Sequence, residues 1–495
     1  MTTTQGTATS GGVAPSSSSD DIGRTLSGNL GVGSIVFMVV AAAAPLTVIG
    51  GAAPLGIALG NGVGFPSLYA ISGVVLLLFS VGLAAMARSV PRPGAFFTYV
   101  GYGMNRALGL GAAWLALLTY TAVQLAVYFY IGFSLNLYLT TLLGAPDIPW
   151  WAYSLATIAL VGYLGYRNIE LSSKVLGVLL VAEIGITLVL SFAVMLRGGA
   201  EGLSLEPFAV SNIVSGSPGV GLMLAFAGFI GFESTAIFRD EAKNPQKTIP
   251  RATYLAVIII GVFYTFAGWA LVMAWGPSQV QAYALDNAGS MIHDTAANYL
   301  GPVGGIAIET LLLTSLFACV LSFHNVLTRY QHVMGKVQVL PTPLSLVHTK
   351  HASPHVSSIA QTAVAALLIV TFAVIGLDPV MQGFTWASGL ATIAIVVLMA
   401  LTSVAVVMYF RRFPNEERNV WKSTIAPILA TIGLIGVCAT IVAYFPMLVG
   451  GDGWGLSIII LSLVPIALAI GVVQGLLLRQ SRPSTYAGII DAISV

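Results

Sequence analysis

Long apolar runs alternate with short polar stretches along the whole chain. In order they fall near residues 34–59, 67–86, 108–139, 152–166 and 171–196, then from about 220, then 252–275, 303–330, 356–375, 382–410, 425–445 and 456–478. A helix needs about 20 mostly apolar residues to cross a bilayer, so the pattern predicts about twelve membrane-spanning helices. No stretch reads as a soluble second domain. Residues 1–27 differ: they are rich in Thr, Ser and Gly and lack an apolar core. That composition predicts a disordered tail, not a signal peptide.

Two runs carry a break. The first reads Ala41-Ala-Ala-Ala-Pro-Leu-Thr47, followed by Gly50-Gly51. Proline lacks a donor and clashes with the preceding turn, so Pro45 interrupts the helix or begins its second half. Taken alone, an ordinary proline kink with small residues for close packing accounts for it better. The sixth run changes that balance. It reads Phe226-Ala-Gly-Phe-Ile-Gly-Phe-Glu-Ser234 and leads into a dense charged loop, Arg239 to Thr253. Gly228 and Gly231 weaken the helix at mid-membrane depth. Glu233 is an acid in an apolar segment, which is expensive. Unpaired backbone groups are tolerated there only if buried in protein or lining a cavity. Phe226–Ile230 therefore reads as half of a binding site. Breaks five spans apart occupy matching positions of two five-span units. Because five is odd, the second unit inserts upside down, as in secondary transporters built from inverted repeats.

Composition excludes a soluble protein: 57% of residues are hydrophobic and only 8% charged. The net charge of +2 says little, but the placement of the bases says more. With the spans above, 19 of the 20 Lys and Arg residues fall on one side and only Arg197 on the other. By the positive-inside rule the crowded side, with both termini, is cytoplasmic. Cys319 and Cys438 both lie in apolar spans, which implies small core residues and no disulfide or metal framework.

The segments around the second break resemble a known family. Gly231-Phe-Glu-Ser, Glu241-Ala-Lys-Asn-Pro and Thr248-Ile-Pro-Arg-Ala are similar to the sixth helix and following loop of amino acid–polyamine–organocation transporters. Arg88-Ser-Val-Pro-Arg-Pro-Gly-Ala-Phe-Phe-Thr-Tyr99 resembles their Pro-x-x-Gly-x-x-Tyr segment. The resemblance extends weakly from about Ser27 to Arg412. It implies an all-α integral membrane protein of the LeuT type. This is a 5+5 inverted repeat with helices 1 and 6 broken, plus two extra C-terminal helices. The divisions expected are a cytoplasmic tail over 1–27, repeats over 28–198 and 199–412, two further helices over 413–480, and a cytoplasmic tail over 481–495. Ala-Pro stands where the family has a small Gly-Ser-Gly-like break.

The chemistry expected is that of helix ends. N–H groups after a break, at the positive end of the dipole, suit a carboxylate, and carbonyls before a break suit an ammonium. Ala43, Ala44, Pro45, Leu46 and Thr47 are expected to form one wall, and Phe226, Ala227, Gly228, Phe229 and Ile230 the other. In the family the corresponding positions hold the substrate's backbone groups. The phenylalanines either gate the site or receive a side chain, although Phe226, Phe229 and Phe232 cannot all point inward. Gln124 either faces the substrate or bonds a neighbouring helix. Three acids lie within spans: Glu183, Glu233 and Glu309. Glu233 matches the family's Gly-Phe-Glu and reads as structural. Glu183 is the most isolated, and a lone buried carboxylate is costly, so Glu183 and then Glu309 are the candidates for proton coupling. Family members taken to be proton-coupled often carry a lysine in this region. His324 alone makes no catalytic constellation, and the four histidines from His332 to His355 lack metal-ligand spacing.

These readings point to a secondary-active importer of amino acids or related amines in the plasma membrane, the expected partners being the substrate, protons and the bilayer, with no cofactor and no nucleic acid. An exchanger or polyamine permease without proton coupling is the near alternative. A channel or a transporter-fold sensor is the alternative of another class, but neither charged pore rings nor a large output domain is visible.

Overall fold

The computed structural model describes residues 30–493, apart from 91–95, 168–172, 234, 236–241, 352, 418 and 452. The tail over residues 1–29, Arg92 and residues 239–241 at the start of the charged loop lie outside the described residues.

Among the described residues the chain is helical, with one isolated bridge between Leu30 and Ala242. The helices are α1 (Val32–Ala42), α2 (residues 45–61), α3 (Phe65–Ser89), α4 (Phe96–Gly103), α5 (Arg106–Leu143), α6 (Trp150–Tyr166) and α7 (Ser173–Arg197). Then come α8 (Pro218–Ala227), α9 (Pro245–Trp275), α10 (Val280–Asn287), α11 (Met291–Leu300), α12 (Pro302–Lys336) and α13 (His355–Ile375). The last are α14 (Thr385–Arg412), α15 (Ala426–Leu448), α16 (Gly455–Ser481) and α17 (Pro483–Ile493). Among the described residues nine runs are long and apolar enough to cross a bilayer, and the first of them, residues 32–89, contains α1, α2 and α3.

Patterning explains the packing. Large apolar side chains face outward on α7, α9, α13 and α16: Leu196 is 83% exposed and Val374 83%. Such a belt is a liability in water and the expected surface against lipid. The inward faces hold small residues and aromatics. α5 is the central post, 38 residues long and packed against α4, α6, α12, α14 and α16. At 1.5 Å per residue it spans about 57 Å, well beyond a hydrocarbon core of ~30 Å, so it projects or tilts. Asn105 starts it by accepting from the Leu108 N–H at 2.9 Å.

Two features position the centre. α8 has only 10 residues, about 15 Å, half the depth of a bilayer core. Its start meets the end of α2: Ser217 N–H donates to the Gly60 carbonyl at 2.9 Å. A Cβ on Gly60 would lie 2.9 Å from Gly221 Cα, so only glycine permits this approach. The stretch after α9, which reads from sequence as a base-free loop, instead folds into α10 and α11. Trp275 Nε1 ties them down by donating to Thr295 Oγ1 at 2.8 Å.

Candidate functional site

The first helix breaks at Ala43–Ala44. Ala44 adopts φ 46°, ψ 68°, a left-handed conformation uncommon for a residue with a Cβ. Pro45 then occupies the first turn of α2, where its missing N–H costs nothing. The second half departs from regular α geometry, with π-type turns over Val48–Ala52 and Gly56–Asn61. Tyr264 Oη donates to the Ala43 carbonyl at 3.3 Å, which meets one acceptor left by the end of α1.

The second break follows α8. Tight turns carry the chain past Gly228: Phe229 N–H donates to the Phe226 carbonyl at 3.0 Å and Ile230 N–H to the Ala227 carbonyl at 3.2 Å. Gly231 has φ 111°, which favours glycine. Glu233 fastens the turn. Its carboxylate accepts from the Gly231 N–H at 2.8 Å and from Tyr120 Oη at 3.0 Å. Removing one partner from a buried acceptor costs about 1–3 kcal/mol. Tyr120→Phe is therefore expected to destabilise the protein by about that amount, read as a lower unfolding temperature in detergent. An unchanged unfolding temperature would show that Tyr120 does not hold the break.

A narrow cavity of about 60 Å³ lies between the breaks. Ala43, Ala44 and Thr47 line it from the first break, and Ala227, Gly228 and Ile230 from the second. The facing wall comes from α5 (Val123, Ala126, Val127), α12 (Cys319, Phe323), Phe384 at the end of the π-type turn before α14, and α14 itself (Ser388, Ala391). A larger groove of about 610 Å³ between α3, α7 and α9 is lined almost wholly by apolar side chains and contains neither break. It belongs to the outer surface.

Other expected residues stand behind this lining. Pro45 and Leu46 are buried, as are Phe226, Phe229 and Phe232. Phe229 packs edge-on against Tyr264 at 6.0 Å, and Phe232 against Phe79 at 6.1 Å. Gln124 points away from the cavity. Its Oε1 accepts from Gln361 Nε2 at 2.8 Å, and Gln361 Oε1 accepts from Gln331 Nε2 at 2.7 Å, a chain of amides linking α5, α13 and α12. Its neighbour Val123 faces the cavity instead, one position and ~100° around the helix.

Glu183 is tied to the first break. The Leu46 N–H donates to its carboxylate, and Ser315 Oγ donates to it at 2.9 Å. Thr47 Oγ1 donates to Ser315 Oγ at 3.2 Å. Two hydroxyls therefore lead from the cavity wall to an acid seated at the N-terminus of α2, where negative charge is favoured. Glu309 is 2% exposed, and neither carboxylate oxygen has a hydrogen-bond partner among the described residues. It neighbours Tyr130, whose hydroxyl donates to the Gly50 carbonyl at 2.7 Å, and is outside the cavity lining.

The sequence is similar to known proteins over most of its length. The profile of the amino acid permease family matches residues 34–485. The chain belongs to this family. It is accordingly an integral membrane protein of a transporter family. It is 24% identical over 362 residues to the low-affinity putrescine importer PlaP of Escherichia coli (strain K12), covering 72% of this chain and 75% of that one. It is 23% identical over 389 residues to the branched-chain amino acid permease BcaP of Bacillus subtilis (strain 168), covering 76% and 79%. It is 24% identical over 313 residues to the serine/threonine exchanger SteT of the same organism, covering 61% and 67%.

Proposed function

We propose that the protein is a secondary-active transporter, not an enzyme, that moves an amino acid or related amine across the plasma membrane by alternating access, coupled to protons. One observation carries the reading: helix ends of opposite polarity converge on one central cavity. At the N-terminus of α2, Pro45 has no N–H and the Leu46 N–H is taken by Glu183, so the Thr47 N–H and the positive dipole end are what it offers a carboxylate. The C-termini of α1 and α8 offer carbonyls and the negative end to an ammonium. Ala43, Ala44, Pro45, Leu46 and Thr47 form the first set, and Phe226, Ala227, Gly228, Phe229 and Ile230 the second, the buried members acting through the backbone. Gln124 supports the scaffold, and Glu183 carries the proton, with Glu309 as the second candidate.

The architecture that suits this mechanism is the 5+5 inverted repeat of residues 28–198 and 199–412, extended by two C-terminal helices. One repeat moves against the other around the cavity. Both termini then face the cytoplasm and Arg197 faces outward. Single cysteines at positions 197 and 92 test this with an impermeant thiol reagent on intact cells. Position 197 is expected to label and position 92 to stay protected; the reverse would overturn the orientation.

Transport itself is tested in proteoliposomes. Labelled amino acid is expected to accumulate above its external concentration when a pH gradient is imposed, and to equilibrate without one. Passive flux unaffected by any gradient, and without exchange of labelled for unlabelled substrate, would favour a channel and refute the reading.

A further inference from the structure

The two faces of the central cavity differ in what they can neutralise. The breaks provide one region for a carboxylate and one for an ammonium. The facing wall offers no charge. Its principal side chains are Val123, Ala126, Val127, Phe323, Ser388 and Ala391, and the polar groups it presents are the Ser388 hydroxyl and the Cys319 thiol. None of Glu183, Glu233 and Glu309 lines the cavity. Glu233 holds Gly231 and Tyr120, and Glu183 holds Leu46 and Ser315. Glu309 neighbours Tyr130 and Asp294, outside the lining.

We infer that this cavity selects a zwitterion with a small uncharged side chain and rejects a second ammonium, and that the wall formed by α5 and α14 sets the choice. The inference rests on the transport reading above and narrows its substrate. A diamine meets two mismatches. One ammonium can take the carbonyl ends of α1 and α8, but the other must sit against an apolar wall without a counter-charge, which is costly. No carboxylate is then left for the N-terminus of α2. A lysine-like substrate suffers the first mismatch, and an aspartate-like substrate buries a carboxylate against the same wall. Alanine and valine suffer none of these. Phe323, Phe384 and Ile230 keep the space short, so aromatic substrates are disfavoured by overpacking.

The test is substrate-dependent thermal stabilisation of the purified protein, with alanine, valine, lysine, aspartate, phenylalanine and putrescine, followed by competition for uptake. Alanine or valine is expected to stabilise, while putrescine and lysine need concentrations about 100-fold higher or fail altogether. Ser388→Asp places an acid on the facing wall and is expected to gain putrescine or lysine binding and to lose valine. Putrescine or lysine acting on the unaltered protein as well as valine does would overturn the inference and leave the transport reading intact. No stabilisation and no uptake of any of the six would sink the transport reading and the inference with it. If Ser388→Asp folds but gains neither cation, the assignment of selectivity to this wall is wrong; if it does not fold, the comparison on the unaltered protein still decides.

Discussion

Gly228→Leu is expected to abolish substrate-dependent stabilisation and uptake while the protein still inserts and folds. The effect is steric. Gly228 has φ −65° and ψ −15°, a conformation open to any residue, so leucine meets no backbone penalty. Its Cβ, however, would lie 2.8 Å from Val48 Cγ1 and 3.2 Å from Tyr264 Cε2. The remaining side-chain atoms have only the central cavity of about 60 Å³ to enter. Overpacking of this kind costs about 1–3 kcal/mol of stability, which a large membrane protein can survive, whereas a filled binding cavity leaves no room for substrate. Gly231→Leu acts by another route. Its φ of 111° is strained for an L residue, at a cost of about 1–3 kcal/mol. It also displaces the N–H that Glu233 accepts. That variant is expected to lower the unfolding temperature as well as to lose binding. Unchanged stabilisation by substrate in both variants would show that the break after α8 is not part of the site.

The contrast between these glycines bears on what the sequence reveals. Breaks are legible where one residue type has one backbone consequence. Pro45 removes a donor, and the structure duly starts α2 with it, but the left-handed residue is Ala44, which carries no signature of its own. The facing wall was illegible for a different reason. Val123, Ala126 and Val127 repeat at i, i+3 and i+4, a pattern shared by any helix that packs against another. Gln124 stands out in the sequence because a polar group is rare in such a run. Its polarity is spent on Gln361, and the cavity belongs to the neighbouring valine. α10 and α11 are not legible in the sequence because they are short and only partly apolar, with tertiary contacts such as the Trp275–Thr295 bond supplying what periodicity does not. Glu183 was legible as an isolated acid. Its partners, an amide two residues after the first break and a serine on α12, depend on how distant segments meet.

Those partners give Glu183→Gln a defined outcome: loss of accumulation driven by a pH gradient, with exchange of labelled for unlabelled substrate retained. An ionised Glu183 only accepts, taking hydrogen bonds from the Leu46 N–H and the Ser315 hydroxyl, while Thr47 donates into Ser315. A proton on Glu183 turns one carboxyl oxygen into a donor. Ser315 must then accept from it, which frees the Ser315 hydrogen; a hydroxyl accepts twice, so Ser315 either keeps the bond from Thr47 as well or donates to Thr47 in its place. In the second arrangement the Thr47 hydrogen turns elsewhere, and Thr47 lines the cavity. That rearrangement would carry protonation to the cavity wall, next to the N-terminus of α2 where a substrate carboxylate would sit. Glutamine keeps one acceptor for Leu46 and presents an NH₂ to Ser315, so it imitates the loaded state permanently. A permanently loaded carrier can still exchange substrate, because both half-cycles run with the site neutral. It cannot release a proton inside, so the gradient has nothing to drive. A carboxyl group that merely joins α7 to α12 predicts something else, a modest fall in unfolding temperature with gradient-driven uptake intact. Wild-type-like, pH-driven uptake by Glu183→Gln would remove Glu183 from the mechanism and direct the search to Glu309, the buried acid whose oxygens have no partner among the described residues.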